Sequence, residues 1–164
     1  MAQLQELSHT GQEGQVKHLF LSFQKKGILV IDDDPCFRDL IRTVGQALKL
    51  PVTTVASLEE MSSFAALKDY DIAVIDFNLE GFCGVEIAEY VEVFFKELPV
   101  LIVSGENLDP TPVTRWPACI KKFVHKSFGP YAILQRCMKL WNDEYDCRKN
   151  LGQVLQEPAV RYSN

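Results

Sequence analysis

The sequence predicts an α/β fold: a doubly wound, five-stranded parallel sheet with flanking helices, plus one helix at the N-terminus. Two observations carry this. Runs apolar on both faces, such as Ile28-Leu29-Val30-Ile31 and Val100-Leu101-Ile102-Val103, suit strands buried in the middle of a parallel sheet. Between these runs lie stretches of helical period, and that alternation is the pattern of βα units.

The elements follow in order. Over residues 15–26, Val16, Leu19, Phe20 and Phe23 fall at i, i+3, i+4 and i+7, one face of a helix. Residues 28–31 form the first strand. Asp34-Pro35 then starts a helix with proline at its first position, and Phe37, Leu40, Ile41, Val44 and Leu48 share its inner face. Residues 51–56 are β-branched and make a second strand. Ser57-x-x-Glu60 is a capping box that opens a helix through Leu67. Residues 71–75 are a third strand, and Gly81 and Gly84 mark the turn before a helix over 85–96. Residues 99–103 are a fourth strand. Pro110, Pro112 and Pro117 leave 106–119 short or irregular, because each proline lacks an N–H. Residues 120–124 are a half-polar fifth strand suited to a sheet edge. A last helix over 130–142 turns Leu134, Cys137, Met138 and Trp141 inward. The chain thus divides into an extension (1–26), one domain (27–143) and a polar tail (144–164), and the domain suits a flavodoxin-like topology.

Composition excludes several function classes. The 164 residues are 47% apolar and 24% charged, enough for one domain with its own core. Seventeen basic against 22 acidic side chains give −5, with no basic block, so no nucleic-acid partner is expected. No apolar run approaches a membrane span. Met1 leads into Gln and Glu rather than a basic-then-apolar ramp, so no secretory leader is expected. The five cysteines are odd in number and lack a C-x-x-C pair. They read as cytosolic thiols rather than a disulfide frame or zinc site.

In an open α/β sheet the functional crevice lies at the carboxyl ends of the strands. Those ends carry Asp32, Asp33 and Asp34 after the first strand, Asp76 after the third, Ser104-Gly105 after the fourth and Lys126 after the fifth. Clustered carboxylates supply the oxygen ligands that Mg²⁺ prefers. A carboxylate beside such an ion can attack a phosphoryl group, and a lysine can neutralise the oxygens in transfer.

Four motifs resemble the response-regulator receiver domain of two-component signalling, in its stand-alone, chemotaxis-regulator-like form. They are Ile28-Leu29-Val30-Ile31-Asp32-Asp33-Asp34-Pro35, Ala73-Val74-Ile75-Asp76-Phe77-Asn78, Val100-Leu101-Ile102-Val103-Ser104-Gly105 and Phe123-Val124-His125-Lys126. The resemblance covers about residues 26 to 143 and keeps the family's motif order. It implies that Asp32 and Asp33 bind Mg²⁺ with Asp76 and the backbone carbonyl of Asn78, and that Asp76 accepts phosphate. It further implies Ser104 as the switch hydroxyl, Lys126 as the phosphate-pairing cation and Phe123 as the switch aromatic. Asn78 and Glu106 take the two positions that tune hydrolysis. Three features depart from the family: Ser127 stands in place of a proline often preceded by a cis bond, Glu80 replaces the usual proline before Gly81, and prolines stud 109–117.

The resemblance implies a cytoplasmic, Mg²⁺-dependent phosphoacceptor rather than an enzyme. Its partners would be a histidine kinase or phosphotransfer protein and an unknown downstream protein. Only the tail follows the domain, too little for a DNA-binding output. Two alternatives stay open. One is a receiver-like interaction module that works without phosphate. The other is a haloacid-dehalogenase-type phosphatase, which Asp32-x-Asp34 with Ser104 and Lys126 also resembles, although Asp76 would then have no role. Asp34 is expected to cap its helix, and His125 to be solvated or hydrogen-bonded rather than a metal ligand.

Overall fold

The computed structural model describes residues 27–106 and 116–154, with side chains to 143. The helix expected over 15–26, residues 107–115 and the end of the tail lie outside the described residues.

Strands β1 (Ile28–Ile31), β2 (Val52–Val55), β3 (Ile72–Asp76), β6 (Val100–Ser104) and β7 (Ile120–His125) form one sheet in the order β2-β1-β3-β6-β7, every pair parallel. β1, β3 and β6 are buried along their whole length, as their unbroken apolar runs predict. β7 lies at an edge, and its Lys121 and Lys122 are exposed.

Strand alternation sends side chains to two cores. On one face Ile28, Val30, Val74 and Val103 meet Phe37 and Ile41 of helix α1 (Pro35–Ala47) and Ile133, Leu134 and Cys137 of helix α3 (Gly129–Val154). On the other face Leu29, Ile31, Ile75 and Ile102 meet Leu67 and the inner side of helix α2 (Gly84–Phe94), namely Ile87, Ala88 and Val91. Leu40, expected inward on α1, is exposed. Gly45 faces β2 instead, so close that an added Cβ would meet Val52 Cγ2 at 2.6 Å.

Three elements differ from the sequence reading. The helix expected from Ser57 is two 3-10 stretches, Leu58–Glu60 and Phe64–Asp69. Leu58, Met61, Phe64 and Leu67 all pack into the second core. Their constant spacing of three fits 3.0 residues per turn, whereas an α-helix would rotate them off one line. The capping box is likewise shifted: Ser57 Oγ accepts from Glu59 N–H, and Glu60 Oε2 accepts from Ala56 N–H. Secondly, β4 (Asn78–Leu79) and β5 (Phe82–Cys83) form a hairpin around Gly81, whose φ of 82° suits glycine. Thirdly, α3 continues to Val154, so the first part of the expected polar tail is helical. No cis peptide occurs among the described residues, the Lys126–Ser127 bond included.

Burial decides the thiol chemistry. It pushes Cys137 up to about 12 and Cys119 up to about 11, and Cys119 Sγ also donates to Ala88 O at 3.2 Å. The thiolate is the reactive form, so both stay inert at mildly alkaline pH. Exposed Cys36 should therefore be alkylated in the native protein, and Cys119 and Cys137 only after unfolding. Peptide mass mapping checks this, and native labelling of Cys137 would contradict the burial.

Candidate functional site

The chain leaves β1 toward β2 and leaves β3 toward β6, so the order β2-β1-β3-β6-β7 reverses between β1 and β3. Side chains at those two strand ends face a common crevice. Asp32 directly follows β1 and Asp76 ends β3. Carboxylate oxygens of Asp32, Asp33 and Asp76 all lie within 4.8 Å of one another. Asp32 is 0% exposed and Asp76 5%, whereas Asp33 is open to solvent.

Lys126, just past β7, reaches across the strand ends. Its Nζ lies 2.8 Å from Asp32 Oδ2 and donates to Asp76 Oδ2 at 2.8 Å. Asp32 Oδ2 is fully buried against this ammonium. Burial pushes the Asp32 carboxyl above its ordinary range, and the Asp76 charge adds to this. The Lys126 ammonium and the Asp34 N–H, which donates to Asp32 Oδ1 at 3.0 Å, offset it in part. For Lys126, burial alone would lower the pKa, but the two carboxylates outweigh it and hold the ammonium above its ordinary value. A raised lysine contributes its full stability below the unfolded pKa and loses it as pH rises through the folded one. The pairing is therefore intact at neutral pH.

Among the described residues, three carboxylates are thus met by one ammonium ion-paired with two of them. Such an oxygen-only set, in which three carboxylates outnumber the one ammonium paired with them, fits a small hard cation such as Mg²⁺.

Ser104 ends β6 and is 2% exposed. Its Oγ accepts from Glu106 N–H at 3.0 Å, so the hydroxyl proton remains to donate. Asn78 and Glu106 are exposed at the rim. Phe123 is half-buried on β7 and packs edge-on to Trp116, ring centroids 4.6 Å apart. Asp34 does cap α1: its Oδ1 accepts from Cys36 N–H at 2.8 Å. His125 Nδ1 accepts from Ser127 N–H at 3.1 Å and lies 2.6 Å from Ser127 Oγ, held within its own turn.

Three contributors are not evident from sequence. The Phe37 ring lies under Lys126 Nζ at 4.8 Å, adding a cation–π contact to the ion pairs. Arg38 Nη1 donates to Asp32 O at 2.6 Å and fixes that backbone. Gly84 abuts Asp76 so closely that an added Cβ would meet Asp76 O at 2.1 Å, while its N–H donates to Phe77 O at 2.8 Å. Helical period marks Phe37 only as core, and Gly84 only as a turn.

The profile of the response regulator receiver domain matches residues 28–138. The chain is 31% identical over 112 residues to the regulatory protein VirG of Rhizobium rhizogenes, covering 68% of this chain and 46% of that protein. It is 28% identical over 108 residues to the C4-dicarboxylate transport transcriptional regulatory protein DctD of Pseudomonas aeruginosa, covering 65% of this chain and 23% of that one. The match thus spans less than half the length of these curated relatives. Among solved structures, a CheY-like receiver domain protein from Methanospirillum hungatei superposes with a TM-score of 0.65 at 19% identity, covering 75% of this chain and 98% of that one. The response regulator TrrA of Thermotoga maritima, in complex with Mg²⁺-BeF, gives 0.58 at 25% identity, covering 69% and 96%. With the profile spanning most of the chain, the protein belongs to the response regulator receiver domain family.

Proposed function

We propose that the protein is a phosphoacceptor switch in which Asp76 takes a phosphoryl group, with Mg²⁺, from a histidine kinase or phosphotransfer protein. It passes the signal on by protein contact or phosphorelay. The observation that carries this is the bridge of Lys126 Nζ between buried Asp32 and Asp76. Receiver domains as a family are phosphoacceptors of two-component signalling.

In the step itself a carboxylate oxygen of Asp76 attacks phosphorus and the donor's P–N bond breaks. An acyl phosphate forms, and the donor imidazole leaves with the bond's electron pair. Lys126, already hydrogen-bonded to Asp76, pairs with the incoming phosphoryl oxygens. Ser104 donates its free hydroxyl proton to that group, and Phe123 follows the hydroxyl. Asn78 and Glu106 at the rim govern access of hydrolytic water. Asp32, Asp33, Asp76 and the Asn78 carbonyl would hold the ion. Bound Mg²⁺ supplies charge neutralisation on the transferring oxygens. Because Asp34 is engaged as a helix cap, a hydrolase of the Asp-x-Asp type would lack a free second acid.

The direct test is incubation with acetyl phosphate and Mg²⁺, followed by mass mapping. One phosphoryl group on Asp76 is expected. Phosphate on Asp32 or Asp34 would favour a hydrolase, and no uptake would favour a phosphate-independent module. Mg²⁺ affinity itself should fall about tenfold or more in Asp32→Asn or Asp33→Asn. Calorimetric titration measures it, and an unchanged affinity would remove these residues from the ligand set.

A further inference from the structure

We propose that the outer face of α2 is the seat of the chain's own N-terminal segment, residues 15–26. This goes beyond the phosphoacceptor reading and does not depend on it. Tyr90, Val93 and Phe94 are 58%, 63% and 66% exposed on one stripe of α2. Phe64, from the second 3-10 stretch, joins them with ring centroids 6.2 Å from Tyr90 and 6.3 Å from Phe94. A contiguous aromatic patch of this kind is uncommon on a monomer unless something covers it.

Three features select the occupant. The first is pattern: Val16, Leu19, Phe20 and Phe23 have the spacing of an apolar helical stripe, which would need a partner. The second is charge. Residues 15–26 hold Lys17, Lys25 and Lys26 and no carboxylate, while exposed Glu86 and Glu89 flank the α2 stripe. The third is reach. Gly27 is anchored beside the end of the second 3-10 stretch, its carbonyl accepting from Asp71 N–H at 2.9 Å. Phe64 lies at the far end of that stretch, about 12 Å away at 2.0 Å rise per residue. The seven steps from Phe20 to Gly27 span about 10 Å as helix and about 23 Å extended, which brackets this distance. Being tethered, the segment also sees the patch at an effective concentration on the order of millimolar, above what a free partner or second copy offers at ordinary dilution.

The test uses the full chain with a benzophenone amino acid in place of Phe20. Irradiation should give a crosslink at monomer mass, mapping to the peptides that carry Phe64, Tyr90 or Phe94. In parallel, the double substitution Phe20→Glu and Phe23→Glu should raise hydroxyl-radical oxidation of Tyr90 and Phe94 several-fold. A crosslink at dimer mass would assign the face to a second copy and overturn the proposal. So would crosslinks confined to α1 or α3, or oxidation of Tyr90 and Phe94 equal in the two proteins.

Discussion

Asp76→Asn leaves a folded protein whose uptake of phosphate from acetyl phosphate and Mg²⁺ drops to background. The amide keeps the shape of the carboxylate and can still accept from Lys126 Nζ, which donates to Asp76 Oδ2 at 2.8 Å in the native site. It lacks the anionic oxygen that attacks phosphorus. Stability should change little. The substitution neutralises one of three clustered carboxylates, and like charges at that range repel. Loss of the Lys126–Asp76 ion pair works against this relief, so the melting temperature should move by no more than roughly 2–4 °C, about 1 kcal/mol. Intact mass after phosphorylation and a thermal scan check both halves. Labelling at the native level would place the acceptor elsewhere.

Gly84→Ala should be the most damaging single-methyl change in the site. The added Cβ would stand 2.1 Å from the Asp76 carbonyl oxygen, and both groups are backbone-bound, so no rotamer change relieves the overlap. Overpacking of this kind costs about 3 kcal/mol, hence roughly 6–12 °C in melting temperature. Phosphate uptake should slow as well, because any relief moves Asp76. Gly105→Ala is the control: its Cβ meets nothing within 4 Å and its φ is ordinary. It should be neutral or stabilise by about 0.4–1 kcal/mol through reduced chain entropy. Thermal scans of the two variants decide this. Equal melting temperatures would mean that the β3–α2 junction yields more easily than its geometry indicates.

What was legible in the sequence follows from the length and regularity of each signal. β1, β3 and β6 are fully buried, so their apolar runs are unbroken and unmistakable. The carboxylates after β1 and at the end of β3 meet Lys126, just past β7, because parallel strands deliver all their carboxyl ends to one edge. The stretch after Ser57 misled because a spacing of three fits within the tolerance of an α-helical pattern, although it matches the 3-10 period better. β4 and β5 have two residues each, too few for any alternation to register. Leu40 sits on the inner half of the α1 period, yet the contact surface is narrow and Gly45 holds the helix against β2. The contacts of Phe37 and Arg38 with Lys126 and Asp32 depend on how α1 lies against the strand ends, which no local pattern encodes.

Among the described residues the five-stranded open sheet ends in two border strands, and a sheet border is a template onto which a foreign strand can add. On the β7 side, consecutive exposed Lys121 and Lys122 put charge on the outer border. Any strand adding there would have to bring two ammonium groups alongside its own side chains. At the opposite border β2 is only four residues long, Pro51 before it lacks an N–H, and Arg42 Nη2 donates to Thr54 Oγ1 across it. Both borders thus discourage growth of the sheet by addition of a further strand. Replacing Lys121 and Lys122 with valine would remove that charge from the border and leave an apolar edge strand.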